Sequence, residues 1–166
     1  MADKTLEDLF HETLRDIYYA ERKIVKTLPK MARGAQDQKL KDAFLKHKEE
    51  TEGQIERLQQ VFELIGKQAR AKTCPAIDGI VEEGEEIMDE FKGTPALDAG
   101  LLAVAQAVEH YEISRYGTLR TWAQELGLKD AVGLLDATLK EETKTDEALT
   151  KLALTAVNLA AQKKAA

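Results

Sequence analysis

Acidic residues recur in this chain at positions where helical periodicity calls for apolar ones. The segments His47-Lys48-Glu49-Glu50-Thr51 and Leu139-Lys140-Glu141-Glu142-Thr143 echo each other, and each lies mid-way along a long helical pattern. Glu21, Glu109, Glu112 and Asp146 fall on inward faces of the same kind. A carboxylate taken out of water is costly unless it is protonated, paired or bound to metal. Several held close together cannot all stay ionised, because burial and like charge both raise the pKa. Two divalent or trivalent cations would neutralise them. Carboxylates shared between helices make an oxygen-rich site suited to iron or manganese. Zinc suits it less, because no cysteine is available there.

The dinuclear reading gives each acid an expected role. Glu21 and Glu112 are expected as terminal ligands, Glu50 and Glu142 as bridging ligands, and Glu109 and Asp146 as completing the set. His47 lies on the seam three residues before Glu50 and can reach the same site, although a lone histidine on an apolar face also reads as a hydrogen-bonded core residue. Gln54 is a weak ligand and a better donor to Glu50 or Glu21. The plainer reading of these acids is a buried polar network or a solvated charge row. It needs matching cations turned inward; Arg115 and Lys144 are candidates for this, with Lys144 expected to point outward.

Four long helices must position these groups. The first begins near Thr5, capped by Asp3 or Thr5, with Leu6, Phe10, Leu14, Ile17, Glu21, Ile24 and Leu28 on one face. Pro29 should kink it rather than end it, because Met31 and Ala32 continue that face. The second carries Leu40, Phe44, His47, Thr51, Gln54, Leu58, Val61 and Ile65, with Gly66 as its stop. Residues 67 to 94 form one long connection, with Asp78 expected to cap a short helix running to Phe91. A third long helix spans about Ala96 to Leu126, and Gly127 separates it from a fourth along Val132, Leu135, Leu139, Glu142, Asp146, Leu149, Ala153, Ala156 and Ala160. The Lys163-Lys164 tail should fray. Two short turns and one long crossover predict an all-α, ferritin-like antiparallel four-helix bundle rather than an up-down-up-down one. Glu21 and Glu50 stand about 14 to 15 residues from the first turn, and Glu112 and Glu142 about 15 from the second, roughly 21 Å along each helix. The acids are therefore at mid-helix in both hairpins and meet whichever way the hairpins pack.

The whole chain sets bounds on the reading. Its 166 residues suit one domain, taken as 1–166, and a content of 10 Gly and only 3 Pro favours long helices. A net charge of −6 argues against a general nucleic-acid binder, although a local basic patch remains open. The single cysteine, Cys74, excludes an internal disulfide framework and fits a reducing compartment. With no leader-like N-terminal stretch and no apolar run of about 18 residues, the expectation is a soluble, cytoplasmic protein without membrane partners. Tyr18, Tyr111, Tyr116 and Trp122 read as packing residues, His11 and His110 as non-ligands, and the Glu82–Glu86 run as a solvated face.

The opening Leu6-x-x-Leu9-Phe10, the Asp16-Ile17-Tyr18-Tyr19-Ala20-Glu21 run, Glu109-His110-Tyr111-Glu112, and Lys140-Glu141-Glu142-Thr143 with Asp146 together resemble the YciE/YciF family of ferritin-like proteins. The resemblance spans nearly the whole chain. It implies a rubrerythrin-like bundle with a di-iron centre, linked by name to bacterial stress responses and without an established reaction. Glu109 and Glu112 match the Glu-x-x-Glu that rubrerythrins carry on the third bundle helix. The slots where di-iron bundles carry the histidine of Glu-x-x-His hold Gly53 and Thr145, so Gln54, Asp146 or His47 would have to substitute. Three functions follow as expectations. The first is a dinuclear iron or manganese protein that handles oxygen or peroxide or binds iron during stress. The second is a structural bundle with an inherited, empty site, and the third is an iron-storage cage. A homodimer is expected, because long bundles with an exposed apolar flank commonly pair.

Overall fold

The structure is a computed structural model that describes residues 3–163. The tail from Lys164 onward, expected to fray, lies outside the described residues, as do the first two. All regular structure among the described residues is helical: α1 (Leu6–Gly34), α2 (Gln38–Leu64), α3 (Pro75–Glu90), α4 (Leu97–Glu125), α5 (Lys129–Leu152) and, beyond a π-helical turn at Ala153–Val157, the short α6 (Asn158–Ala161). α1 packs along α2 and α4 along α5, while α2 also meets α5 and α1 meets α4, so one core lies among the four long helices. The crossover helix α3 rides on α4 and α1.

Local chemistry fixes each boundary. Thr5 caps α1, its hydroxyl accepting from the Asp8 amide while the Asp8 carboxylate accepts from the Thr5 amide, a reciprocal box that satisfies two otherwise orphaned donors. α1 runs through Pro29 to Gly34. An internal proline costs about 3 kcal/mol, and the burial of Leu28, Met31 and Ala32 around it offsets that cost. Asp37 caps α2 by accepting from the Leu40 amide at 3.0 Å. Gly127 holds the α4–α5 turn at φ 72°, a left-handed conformation open to glycine at no steric cost. The first hairpin turn is anchored from outside: Asp98 of α4 accepts from the amides of Gln36 at 2.8 Å and Asp37 at 2.6 Å.

Phe10, Leu14, Ile17, Ile24 and Leu28 are buried along α1, as their spacing predicts, and Leu40, Phe44, Leu58 and Val61 line α2. α3 is held by Tyr19 and Lys23 of α1, which both engage Asp78, and by Lys30 with Glu85 at 2.8 Å. Asp78 is thus a partner of α1. Cys74 takes the N-cap position of α3 instead, and Pro75 supplies the first turn. α3 and α4 approach closely enough that a Cβ on Gly100 would stand 2.7 Å from Ile87 Cγ2. At the far end the π-helical turn rotates the later residues, so Val157 is buried while Ala160, expected inward, is exposed.

Candidate metal centre

Four helices deliver side chains to one dry level of the bundle. α1 contributes Glu21, α2 His47, α4 Glu109 and Glu112, and α5 Glu142, and all of these are buried. The three-residue spacing of Glu109 and Glu112 puts both on one face of α4. Ligand atoms of His47, Glu109, Glu112 and Glu142 lie within 4.8 Å of one another, so this group could hold a metal ion. His47 Nε2 is 3.3 Å from Glu109 Oε1 and 3.9 Å from Glu112 Oε2. These distances fall within ion-pair range, but neither imidazole nitrogen makes a hydrogen bond. Burial also lowers the His47 pKa against the opposing pull of Glu142, so the ring is neutral and the contact is not an ion pair.

The electrostatics follow from the crowding. Burial, then the Glu142 charge, push Glu21 up to about 8 despite the hydrogen bond from Tyr116. Burial and Glu142 push Glu109 up to about 12. Burial, then Glu142 and Glu21, raise Glu112 well above the ordinary carboxylate range. Glu21 Oε2, Glu109 Oε2, both oxygens of Glu112, both of Glu142 and both nitrogens of His47 are buried without a hydrogen-bond partner. Buried polar atoms are nearly always satisfied, and a cluster of exceptions made entirely of ligand atoms is what a cation would satisfy. One imidazole among carboxylates also suits iron or manganese.

The other sequence-predicted residues stand at the margin. Glu50 is a quarter exposed, paired with Lys46 at 2.9 Å and accepting from Thr145 at 3.3 Å. Asp146 accepts from Gln106 at 3.1 Å and lies 3.0 Å from His110 Nε2. Gln54 donates to Glu141 at 3.2 Å rather than to Glu50 or Glu21. Arg57 donates to the same Glu141 oxygen at 2.8 Å and also reaches Thr138 at 3.1 Å. Sequence reasoning missed this cross-helix cation. Tyr116, read as a packing residue with carboxylate hydrogen bonding as the other option, is fully buried and donates its hydroxyl to Glu21 Oε1. The signal for it was present, since Tyr116 follows Glu112 by four residues on the same helix face. Cys74 is buried, 3.0 Å from the Tyr111 hydroxyl, and Trp122 is only partly buried.

A family model for a domain of unknown function, DUF892, matches residues 5–162. Protein YciF of Escherichia coli K12 is 45% identical over 163 residues, 98% of either chain. The crystal structure of YciF, described as a stress protein, matches with a TM-score of 0.89 over 94% of this chain and 99% of that one. YcfI from Rhodopseudomonas palustris, provisionally described as a structural protein, is 49% identical with a TM-score of 0.86, covering 89% and 94% of the two chains. A protein from Xanthomonas campestris shares the fold alone, at 20% identity and a TM-score of 0.73 over 93% of this chain and 94% of its own. On the breadth of the family match and the identity to YciF, this chain belongs to the DUF892 family and is a relative of YciF.

Proposed function

We propose that this chain is a ferritin-like, dinuclear metal protein that holds two iron or manganese ions inside its bundle and handles oxygen or peroxide during cytoplasmic stress. The observation that carries the reading is the set of buried, unpartnered ligand atoms on Glu21, His47, Glu109, Glu112 and Glu142. An apolar interior leaves such atoms bare only at a cost of about 1–3 kcal/mol each, and a cation removes that cost. A bound metal pair would supply two electrons to an oxidant from one site.

The chain's own groups prepare that site. Tyr116 fixes one oxygen of Glu21 and leaves the other free. Arg57 and Gln54 hold Glu141 aside, so Glu142 is the acid of that pair turned inward. The neutral His47 offers a lone pair without adding charge. Glu50 and Asp146, now paired with Lys46 and His110, would complete the ligand set if they released those partners. The stress setting is supported by the description of YciF as a stress protein. No helix among the described residues is long and apolar enough to cross a membrane. Leu154 and Leu159, exposed on the C-terminal helical segment, suit a homodimer contact.

The provisional description of YcfI as structural favours a second reading, an interaction bundle whose site stays empty. Metal analysis of protein purified without chelators separates the two, together with melting in the presence and absence of EDTA. A ligand at 100 times its Kd stabilises the native state by about 2.7 kcal/mol, so the metal reading expects a clear fall in Tm on chelation. No bound metal and an unchanged Tm would leave only the structural reading. Size exclusion separates a dimer from a storage cage.

A further inference from the structure

The cations of this chain are unevenly placed. Residues 22–36 hold Arg22, Lys23, Lys26, Lys30 and Arg33 and no acid, and residues 64–77 hold Lys67, Arg70 and Lys72 and no acid. Eight of the 24 Lys and Arg therefore fall in two short acid-free segments of a chain with 30 acids. The fold sets the two segments side by side. The connection from α2 to α3 crosses the outer face of α1, where the Lys72 amide donates to the Arg15 carbonyl at 3.2 Å and Arg15 Nε to the Arg70 carbonyl at 3.3 Å. A groove opens on either side of that crossing. His11, Arg15, Lys67 and Arg70 line one, and Tyr19, Arg22, Lys23 and Lys26 line the other. Lys23 is taken by Asp78, and Arg15 and Lys72 by Glu12. Among the described residues, Arg22, Lys26, Lys67 and Arg70 are exposed and make no ion pair. The Arg22 guanidinium lies 5.5 Å over the Tyr18 ring, which holds it without neutralising it. Burial, then the charges of Lys67 and Arg15, lower the His11 pKa, as a positive pocket would.

The surroundings narrow the choice of partner. No aliphatic side chain larger than that of Ala71 lines either groove, whereas a protein partner needs an apolar patch at the centre of its interface. Nucleic-acid interfaces are instead polar and strongly positive on the protein side. α3, packed against α1, exposes Glu82, Glu83, Glu86, Asp89 and Glu90 and carries no cation. A duplex would bring its second strand across a groove about 6 to 12 Å wide, roughly one interhelical spacing, and so onto those acids. A flat anionic lipid surface would meet them too. A single strand confined to the row does not. From Arg15 to Lys26 α1 rises about 16 Å, room for about five phosphates at 3.4 Å each. We infer that this basic row is a docking surface for single-stranded nucleic acid, held through its phosphates without regard to base sequence. A net charge of −6 opposes general binding, and the acid-free row supplies the local exception.

Fluorescence anisotropy of the full chain with a labelled oligo-dT of about 20 nucleotides is the test, the length covering the site sizes usual for single strands. Binding should weaken with salt along a log–log slope of about −2.8, the value for four phosphate contacts on a single strand. Arg22→Ala, Lys26→Ala, Lys67→Ala and Arg70→Ala should each reduce that slope by about 0.7. Lys26→Glu combined with Arg70→Glu should abolish binding at about 50 mM salt, where such contacts are strong. Both residues are exposed, and an unchanged thermal melt would show that the loss is one of contact. Lys140→Glu combined with Lys151→Glu reverses as many charges on α5, diagonally across the bundle, and should leave binding intact. Oligo-U should bind like oligo-dT, because phosphates carry no sugar identity. No binding at about 50 mM salt, a duplex held more tightly than the strand, displacement of the strand by an equal concentration of polyglutamate or phosphatidylserine vesicles, or an equal loss in the α5 variant would overturn the inference. None of these outcomes touches the metal reading.

Discussion

If the chain holds the proposed metal, removing it should change the pH dependence of its stability. In the metal-free chain Glu21 is pushed up to about 8, Glu109 to about 12, and Glu112 well above the usual range, all chiefly by burial. In the unfolded chain each returns to an ordinary glutamate pKa of about 4.3. Between these limits the native state binds protons that the unfolded state has released. Their contribution to stability is therefore complete below the unfolded pKa and is lost as pH rises toward the folded one. One carboxyl protonated in the native state and ionised when unfolded changes stability by about 1.4 kcal/mol per pH unit. From pH 5.5 to 7.5 a single such group removes about 2.7 kcal/mol, and three acting together would consume much of the 5–15 kcal/mol typical of a domain.

The assay is urea unfolding of EDTA-treated protein across pH 5.5 to 7.5, repeated with saturating manganese. Without metal, the unfolding free energy should fall by at least about 2.7 kcal/mol over that interval, the amount set by one net proton. With manganese the slope should flatten or invert, because the ion binds the deprotonated ligands and gains affinity as pH rises. A pH-independent midpoint in the metal-free protein would refute the claim that these acids share a dry interior. An identical slope in both states would refute their role as ligands.

Substitutions test individual contacts. Glu112→Gln removes one acid that must otherwise stay protonated, so at pH 8 the metal-free variant should be at least about 1 kcal/mol more stable than wild type, while the manganese-induced rise in Tm disappears. Tyr116→Phe leaves Glu21 Oε1 without its donor and should lower stability by about 1–3 kcal/mol, measured by urea denaturation. Asp98→Ala deprives the Gln36 and Asp37 amides of their acceptor, and at about 2–4 °C of Tm per kcal/mol calorimetry should record a drop of several degrees. Gly100→Ala opposes a helix-propensity gain of up to about 1 kcal/mol with a 2.7 Å clash against Ile87 Cγ2. That atom sits on a stiff β-branched side chain, and overpacking of this kind costs about 1–3 kcal/mol, so net destabilisation is expected in thermal melts.

Helical periodicity carried most of the fold, and the reason lies in the hairpins. Within a hairpin the turn fixes which residues stand level, so positions measured from residues 35–36 and from Gly127 were enough to find Glu21, Glu109, Glu112 and Glu142 at one depth. α2 and α5 meet without any turn joining them, and their axial offset is set by packing rather than by chain connectivity. The details that escaped the sequence collect at that interface. Arg57 takes Glu141 there, Gln54 follows it, and Thr145 donates to Glu50. An acid at the edge of a helical seam can turn either way, and its partner across the interface decides the direction. Glu141 is half-buried and has a bidentate guanidinium, so it stays ionised in place. Its neighbour Glu142 has no cationic partner and is fully buried among the other acids. The repeated Lys-Glu-Glu-Thr segments therefore do different work on the two helices. On α5 the second glutamate enters the interior, and on α2 the equivalent Glu50 is held at the rim by Lys46 and Thr145, leaving His47 as the group that helix turns toward the candidate site.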